Sequence, residues 1–229
     1  MRAGEGGLFI NGRVYTLDPT RPRAEAVAVT AGRIAAVGST QEIRTAFPHL
    51  PVRDLGGRTV LPGFTDAHIH LPAFGLSLRR VELRTARSVR EAVALVARAA
   101  SRAQPGEWIR GQGWDKNVWS DDRFPARGDL DAAAPFHPVV LSSKDGHLLW
   151  VNSAALREAG IDRRTPDPAG GAIARDAQGE PTGVLKETAK DLLWRIVPEA
   201  GEELLEAAIL DAQRLVHRLG ITAIHNFTG

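Results

Sequence analysis

From residue 58 onward, short apolar runs alternate with stretches of helical periodicity, and this alternation restricts the fold more than any other feature of the chain. RTVLPGF, WIRGQGW, HPVVLSS and ITAIHNF read as strands. Ser88 with Glu91 makes a capping-box pair, and Val89, Val93, Leu95 and Val96 continue it as a helical stripe to about Ala103, where Pro105-Gly106 stops it. Glu202 to Leu219 is the clearest helix, with Leu204, Ala208, Ala212, Leu215 and Leu219 on one face and Gly220 at its end. Buried strands joined through amphipathic helices imply an α/β fold with parallel strands and right-handed crossovers. Polar residues gather at the C-terminal ends of these strands, the face on which α/β folds bind ligands: Asp66, His68 and His70, then Lys144, Asp145 and His147, then His225 and Asn226.

The first sixty residues have a different texture. LFINGRVYTL alternates around Asn11-Gly12, a strong turn signal, and AEAVAVTAGRIAAVG reads as a tight hairpin about Ala31-Gly32-Arg33. Gly56-Gly57 breaks the chain. Between the later strands, residues 115–135 read as loop, SAALREAG as a short helix capped by Asn152 or Ser153, and GGAIARDAQGEPTG as a small hairpin. The expected division is 1–57 for strands of an incomplete β-sandwich and 58–229 for the α/β part.

Composition removes several function classes. The chain has no Cys, so disulfides, thiolate metal sites and a cysteine nucleophile are excluded, and a transition metal must use His, Asp, Glu or a modified Lys. No run of eighteen apolar residues occurs, which argues against a membrane span, and MRAGEGGLFING lacks the apolar core of a secretory signal; a cytoplasmic location is the expectation. The 29 basic and 27 acidic residues nearly balance, Lys occurs only at 116, 144, 186 and 190, and no basic cluster suggests a nucleic-acid partner. G-x-S-x-G, P-loop and G-x-G-x-x-G motifs are all missing.

His68-Ile69-His70 is the sharpest chemical feature. On a strand, residues i and i+2 share a side about 6.6 Å apart along the axis. Two imidazoles so placed can converge on one ion, and Asp66, two residues earlier, can orient a ligand from behind. The alternative is a pair of solvated histidines at a strand end.

LPGFTDAHIH resembles the strand-one signature of the amidohydrolase superfamily. NGRVYTL and TAGRIAAVG are similar to its N-terminal sandwich strands. SSKDGHLLWVNSAAL, PTGVLKETA and LGITAIHNF resemble segments of the amidohydrolase-3 type of metal-dependent hydrolase, the branch that includes N-substituted formamide deformylases. The resemblance runs from about residue 8 to 229. It implies a (β/α)8 TIM-type barrel with a small β-sandwich, and a divalent metal, zinc, as one or two ions. It also implies hydrolysis of a C–N bond other than a peptide bond, in an amide or N-formyl small-molecule substrate, by a metal-activated water.

By the same resemblance His68 and His70 are metal ligands and Glu187 is an acidic residue bridging metals. Glu187 also fits a plain reading as a first-turn helical Glu, and Lys186 is its rival as a carbamate site. Asp145 and His147 belong to the active-site mouth as catalytic groups, with Lys144, Trp114, Trp150 and His225 as substrate contacts. Asn152 fits a helix cap, Trp108 and Trp119 fit packing, and His49, His137 and His217 read as structural.

A barrel alone takes about 250 residues, and only four or five strands can be counted after residue 58. The chain therefore reads as the N-terminal portion of such a hydrolase, inactive by itself and sticky or homo-oligomeric through open strand edges. The alternatives are a non-catalytic half that assembles with a partner chain and a metal-free binding module.

Overall fold

A computed structural model of the chain describes residues 6–121 and 123–227. These form two compact units. One runs to Ile69 and takes in Val216–Asn226, and the other comprises His70–Leu215 with Phe227.

In the first unit, β1 (Gly7–Ile10), β2 (Arg13–Tyr15), β3 (Arg23–Ala24), β4 (Ala26–Thr30), β5 (Arg33–Gly38), α1 (Thr40–Ala46), β6 (Val52–Asp54), β7 (Thr59–Val60) and β8 (Phe64–Ile69) are followed, late in the chain, by β15 (Ile221–Asn226). They form a four-stranded sheet in the order β5-β4-β1-β6, a three-stranded sheet β3-β2-β7 and a parallel pair β15-β8. The hairpin about Gly32 is present: Ala31 and Gly32 both take positive φ, 48° and 73°, as a two-residue turn between twisted strands requires. Asn11-Gly12 also turns the chain, but it carries β1 and β2 into different sheets. Asn11 sits at φ 55° and its amide donates to Asp54 Oδ2 at 2.7 Å, so the turn is held by a tertiary bond. Leu8, Ile10, Ala26, Ala28 and Ile43 are the core of this unit.

The second unit contains α2 (Leu71–Ser77), β9 (Val81–Glu82), α3 (Val89–Ala100), β10 (Ile109–Trp114), α4 (Arg127–Asp131), β11 (Val139–Ser143), β12 (Leu148–Val151), α5 (Ser153–Glu158), β13 (Gly171–Arg175), β14 (Pro181–Glu187), α6 (Asp191–Trp194) and most of α7 (Glu202–Arg218). Ser88 Oγ accepts from the Glu91 N–H at 3.1 Å, while the Glu91 carboxylate accepts from Arg87 rather than from Ser88. The buried stripe of α3 is Val89, Ala92, Val96 and Ala100, with Val93 and Leu95 packed at its edge.

The six-stranded sheet runs β13-β14-β12-β11-β10-β9. It corrects the all-parallel expectation. β9, β10 and β11 are parallel, whereas β11–β12, β12–β14 and β14–β13 are antiparallel. Connection length explains the β11–β12 and β13–β14 hairpins, because a parallel crossover needs a dozen or more residues and a hairpin needs only a few. α3 and α4 lie in the long connections, while only Lys144–His147 separates β11 from β12. LLWV, read from sequence as part of a motif, is thus a strand, and the loop-like stretch 115–135 contains α4 and a short 3-10 turn at Lys116–Val118.

Three indoles anchor one core of this unit. Trp114, Trp119 and Trp150 have ring centroids 5.8, 6.3 and 5.9 Å apart, and each indole N–H donates to a main-chain carbonyl, of Leu141, Ala86 and Ala126 respectively. Asn152 is equally central: Oδ1 accepts from Val139 and Ala155, and Nδ2 donates to Ala134 and His137. It caps α5, as expected, and also ties that helix to the start of β11.

Candidate active site

The loop between β11 and β12 is built by three short-range bonds. Ser143 Oγ donates to Asp145 Oδ1 at 2.5 Å and accepts from the Leu148 N–H at 2.9 Å, and Asp145 Oδ1 also accepts from the His147 N–H at 3.0 Å. Gly146 supplies the positive φ, 78°, that the turn needs. His147 is thereby fixed at the mouth of β12.

Register then brings it a partner. Leu148 opposes Lys186 across β12 and β14, which sets Glu187 beside His147. The Glu187 N–H donates to the His147 carbonyl at 3.0 Å, and His147 Nδ1 lies 3.0 Å from Glu187 Oε2. The Lys190 ammonium donates to the Gly146 carbonyl. Glu187 adopts φ 48° and ψ −124°, a region that L residues avoid and that collects at functional sites. Gly171, opposite Glu187, allows the approach: a Cβ there would stand 2.3 Å from the Ala189 nitrogen.

The charges are matched to this geometry. The Ser143 hydroxyl, and then the His147 N–H, hold the Asp145 carboxyl below the usual carboxylate range, so it stays ionised and accepts only. The hydrogen bond that His147 donates to Glu187, with the negative charge of Glu187 and then that of Asp145, raises His147 above an ordinary imidazole. The structure therefore makes a charge-assisted His147–Glu187 pair, whereas sequence reasoning treated the two residues separately. Ser143 was missed as well. The Asp145-Gly146 dipeptide two residues beyond a serine was the available signal, a side-chain-closed turn.

A hollow of about 480 Å3 opens beside this loop, lined by Trp114, Asp115, Lys116, Asn117, Ser143, Lys144, Asp145 and Leu148. Lys144 Nζ lies 3.6 Å from Asp115 Oδ2, joining the ends of β10 and β11. The expected aromatic wall needs correction. Trp150 is fully buried with its N–H satisfied and serves the core, and Trp114, 1% exposed, offers the hollow no more than an edge. His137 is structural as expected, buried with Nδ1 3.0 Å from the Glu107 carbonyl.

His68 lies in β8 and His70 just past its end, at the residue before α2. The pairing steps from Ile224 opposite Asp66 to Asn226 opposite Ile69, so β8 bulges about Ala67 and His68. Asp66 Oδ1 accepts from the His68 main-chain N–H at 3.0 Å, a local turn bond. His70 Nδ1 lies 2.5 Å from the Phe227 carbonyl oxygen. In the neutral ring that contact puts the proton on Nδ1 and the lone pair on Nε2, the arrangement typical of a histidine that binds metal. His225 is an exposed residue of β15. Among the described residues no three His, Cys, Asp or Glu side chains are grouped to hold an ion. The donors suit a divalent cation in kind but fall short in number.

Known proteins resemble this chain along nearly its whole length. A family model described as the amidohydrolase family matches residues 51–229, and one described as an imidazolonepropionase-like composite domain of bacteria matches residues 26–49. A putative amidohydrolase, YtcJ, of Bacillus subtilis is 35% identical over 96% of this chain and 42% of its own length. The N-substituted formamide deformylase of Arthrobacter pascens is 40% identical over 81% of this chain and 35% of its own. A crystal structure of an uncharacterized metal-dependent hydrolase from Pyrococcus furiosus superposes with a TM-score of 0.72 at 26% identity, covering 97% of this chain and 44% of that one. The chain spans less than half the length of these relatives. No helix among the described residues is long and apolar enough to cross a membrane.

Proposed function

The chain belongs to the amidohydrolase family, and from that premise we propose that it carries part of the site of a metal-dependent hydrolase acting on C–N bonds other than peptide bonds, with an amide or N-formyl group as its target. The observation that carries this reading is the His147–Glu187 pair, built on the loop whose Ser143, Lys144 and Asp145 line the hollow. The deformylase relative supports the choice of bond.

A bound divalent ion, zinc in the first instance, supplies a water acidic enough to attack a carbonyl at neutral pH. His68 and His70 are the proposed ligands, and the Nδ1 contact of His70 fits that duty. Cleavage of a C–N bond leaves a nitrogen that must gain a proton. His147, raised by Glu187 so that more of it is protonated, donates that proton from Nε2 while Glu187 holds Nδ1. Asp145 positions His147 through its main-chain N–H and is not itself a proton carrier, being held ionised. Lys144, fixed near Asp115, offers a cation to substrate in the hollow, and Trp114 offers an edge. His225 remains a proposed substrate contact on sequence grounds. Glu187 would add a carboxylate donor for the ion.

Metal analysis of the purified 229-residue protein, with His68→Ala, His70→Ala and Glu187→Gln beside it, tests the assignment. Both histidine variants are expected to lose zinc relative to the parent. Unchanged zinc content in either removes that residue from the ligand set. Hydrolysis of N-formyl amines by the zinc-loaded chain alone would overturn the expectation that this portion is inactive by itself.

A second reading, a half that assembles with a partner chain, is favoured by the exposed apolar side chains of Leu61, between β7 and β8, and Phe64, at the start of β8, 47% and 53% accessible. Concentration-dependent association in sedimentation experiments would support it.

A further inference from the structure

The entry to the parallel pair β9–β10 brings two like charges together. Gly111 opposes Val81 in the register, and Arg110 and Arg80, each one residue N-terminal to those positions, line one groove. Like charges brought close together destabilise a fold. Arginine cannot escape by losing its proton. Both guanidinium groups are half-buried, and their hydrogen bonds go to neutral acceptors: Arg80 Nη1 to Gln112 Oε1 at 3.5 Å, and Arg110 Nη2 to the Pro198 carbonyl. Among the described residues neither forms an ion pair, whereas the adjacent Arg79 is paired with Asp211 at 2.5 Å. Burial lowers both guanidinium pKa values, and the charge of Arg80 lowers that of Arg110 further. Among the described residues no carboxylate lies within ion-pair distance of either guanidinium.

The two arginines line a groove of about 550 Å3, at the opposite end of β10 from Trp114. Leu76, Trp108 and Leu204 give it apolar walls. Glu107 and Glu199 stand at the same groove, and Glu107 is engaged by the Gln104 N–H at 2.9 Å. The volume is in the range of small-molecule sites.

We propose that this groove binds a small organic carboxylate, its two oxygens held between the guanidinium groups of Arg80 and Arg110 and its apolar body against Trp108, Leu76 and Leu204. Two guanidinium forks match a carboxylate's geometry, and one bound anion relieves a repulsion that the empty groove must bear. The site does not depend on the hydrolytic reading, because none of its residues belongs to the His147 loop.

Thermal unfolding of the 229-residue protein tests it, with benzoate as probe, benzamide as its neutral match and ionic strength held constant. Benzoate at tenfold excess over its Kd should raise Tm by about 3 °C, and benzamide should not. Arg80→Gln and Arg110→Gln should each leave Tm without benzoate equal to or above the parent value and abolish the benzoate shift. Arg84→Gln, which breaks the Glu82 pair outside the groove, should retain that shift. Should a glutamine variant fail to fold, Arg110→Lys gives the same contrast: it keeps the charge, loses the fork, and should weaken benzoate at least tenfold. Equal shifts from benzoate and benzamide, no shift at all, or a benzoate shift that survives both glutamine variants would overturn the proposal.

Discussion

His147 Nδ1 and Glu187 Oε2 lie 3.0 Å apart although forty residues separate them in sequence. The contact exists because β12 and β14 are neighbours in one register, with Leu148 opposite Lys186. It couples an imidazole whose pKa is raised to a carboxylate whose backbone is strained.

Replacing Glu187 with Gln should return the His147 pKa downward to the ordinary imidazole range, as read by NMR titration of the ring protons. The sign of the stability effect follows. A folded-state pKa raised above the unfolded value contributes stability that is complete below the unfolded pKa and disappears as pH rises through the folded one. The parent should therefore exceed Glu187→Gln most in mildly acidic solution, and the gap should close above neutrality. A gap that widens with pH would contradict the pairing. The pair is exposed, so the effect is small.

Glu187→Gly should be more stable than Glu187→Gln by about 1 kcal/mol, because glycine adopts φ 48° without a steric cost. Chemical denaturation of both variants measures the difference. Stability equal to that of Glu187→Gln would mean that the backbone there is relaxed.

Gly171→Ala should cost about 1–3 kcal/mol, because its methyl group would meet the Ala189 nitrogen at 2.3 Å and the Lys186 carbonyl at 2.7 Å. The displaced strand end should also separate Glu187 from His147, so the raised imidazole pKa should fall in the same variant. Loss of stability with an unchanged His147 titration would separate the two effects and refute the link.

Asn152→Ala should cost about 3 kcal/mol or more, well beyond the ~1 kcal/mol typical of a helix cap. The side chain is buried, and its removal strands two N–H groups and two carbonyls, including the Val139 N–H of β11. A loss near 1 kcal/mol in urea unfolding would show that water replaces those bonds.

What could be read from the sequence was whatever is settled within a few residues. The Ser88 cap, the Ala31-Gly32 turn, the 170–183 hairpin, the Asn152 cap and the helix ending before Gly220 all act over short spans, and all occur in the structure. Asn11-Gly12 shows the limit of such signals: it turns the chain as its residue types require, but which sheet receives β2 depends on pairing partners far along the chain.

The tertiary structure decided the rest. Strand direction in the six-stranded sheet followed from connection lengths together with register, so a run of apolar strands became mixed rather than parallel. Trp150 shows the same division: an aromatic beside polar motif residues reads as a substrate wall, and only packing against Trp114 and Trp119 reveals it as core. The His147–Glu187 pair and the meeting of Arg80 and Arg110 at one groove likewise depend on strand pairing between distant parts of the chain. The sequence by itself determined the α/β elements, their caps and the supply of imidazoles and carboxylates, because local backbone energetics select those. Which charged groups meet was decided by folding alone, because burial and register are properties of the assembled sheet.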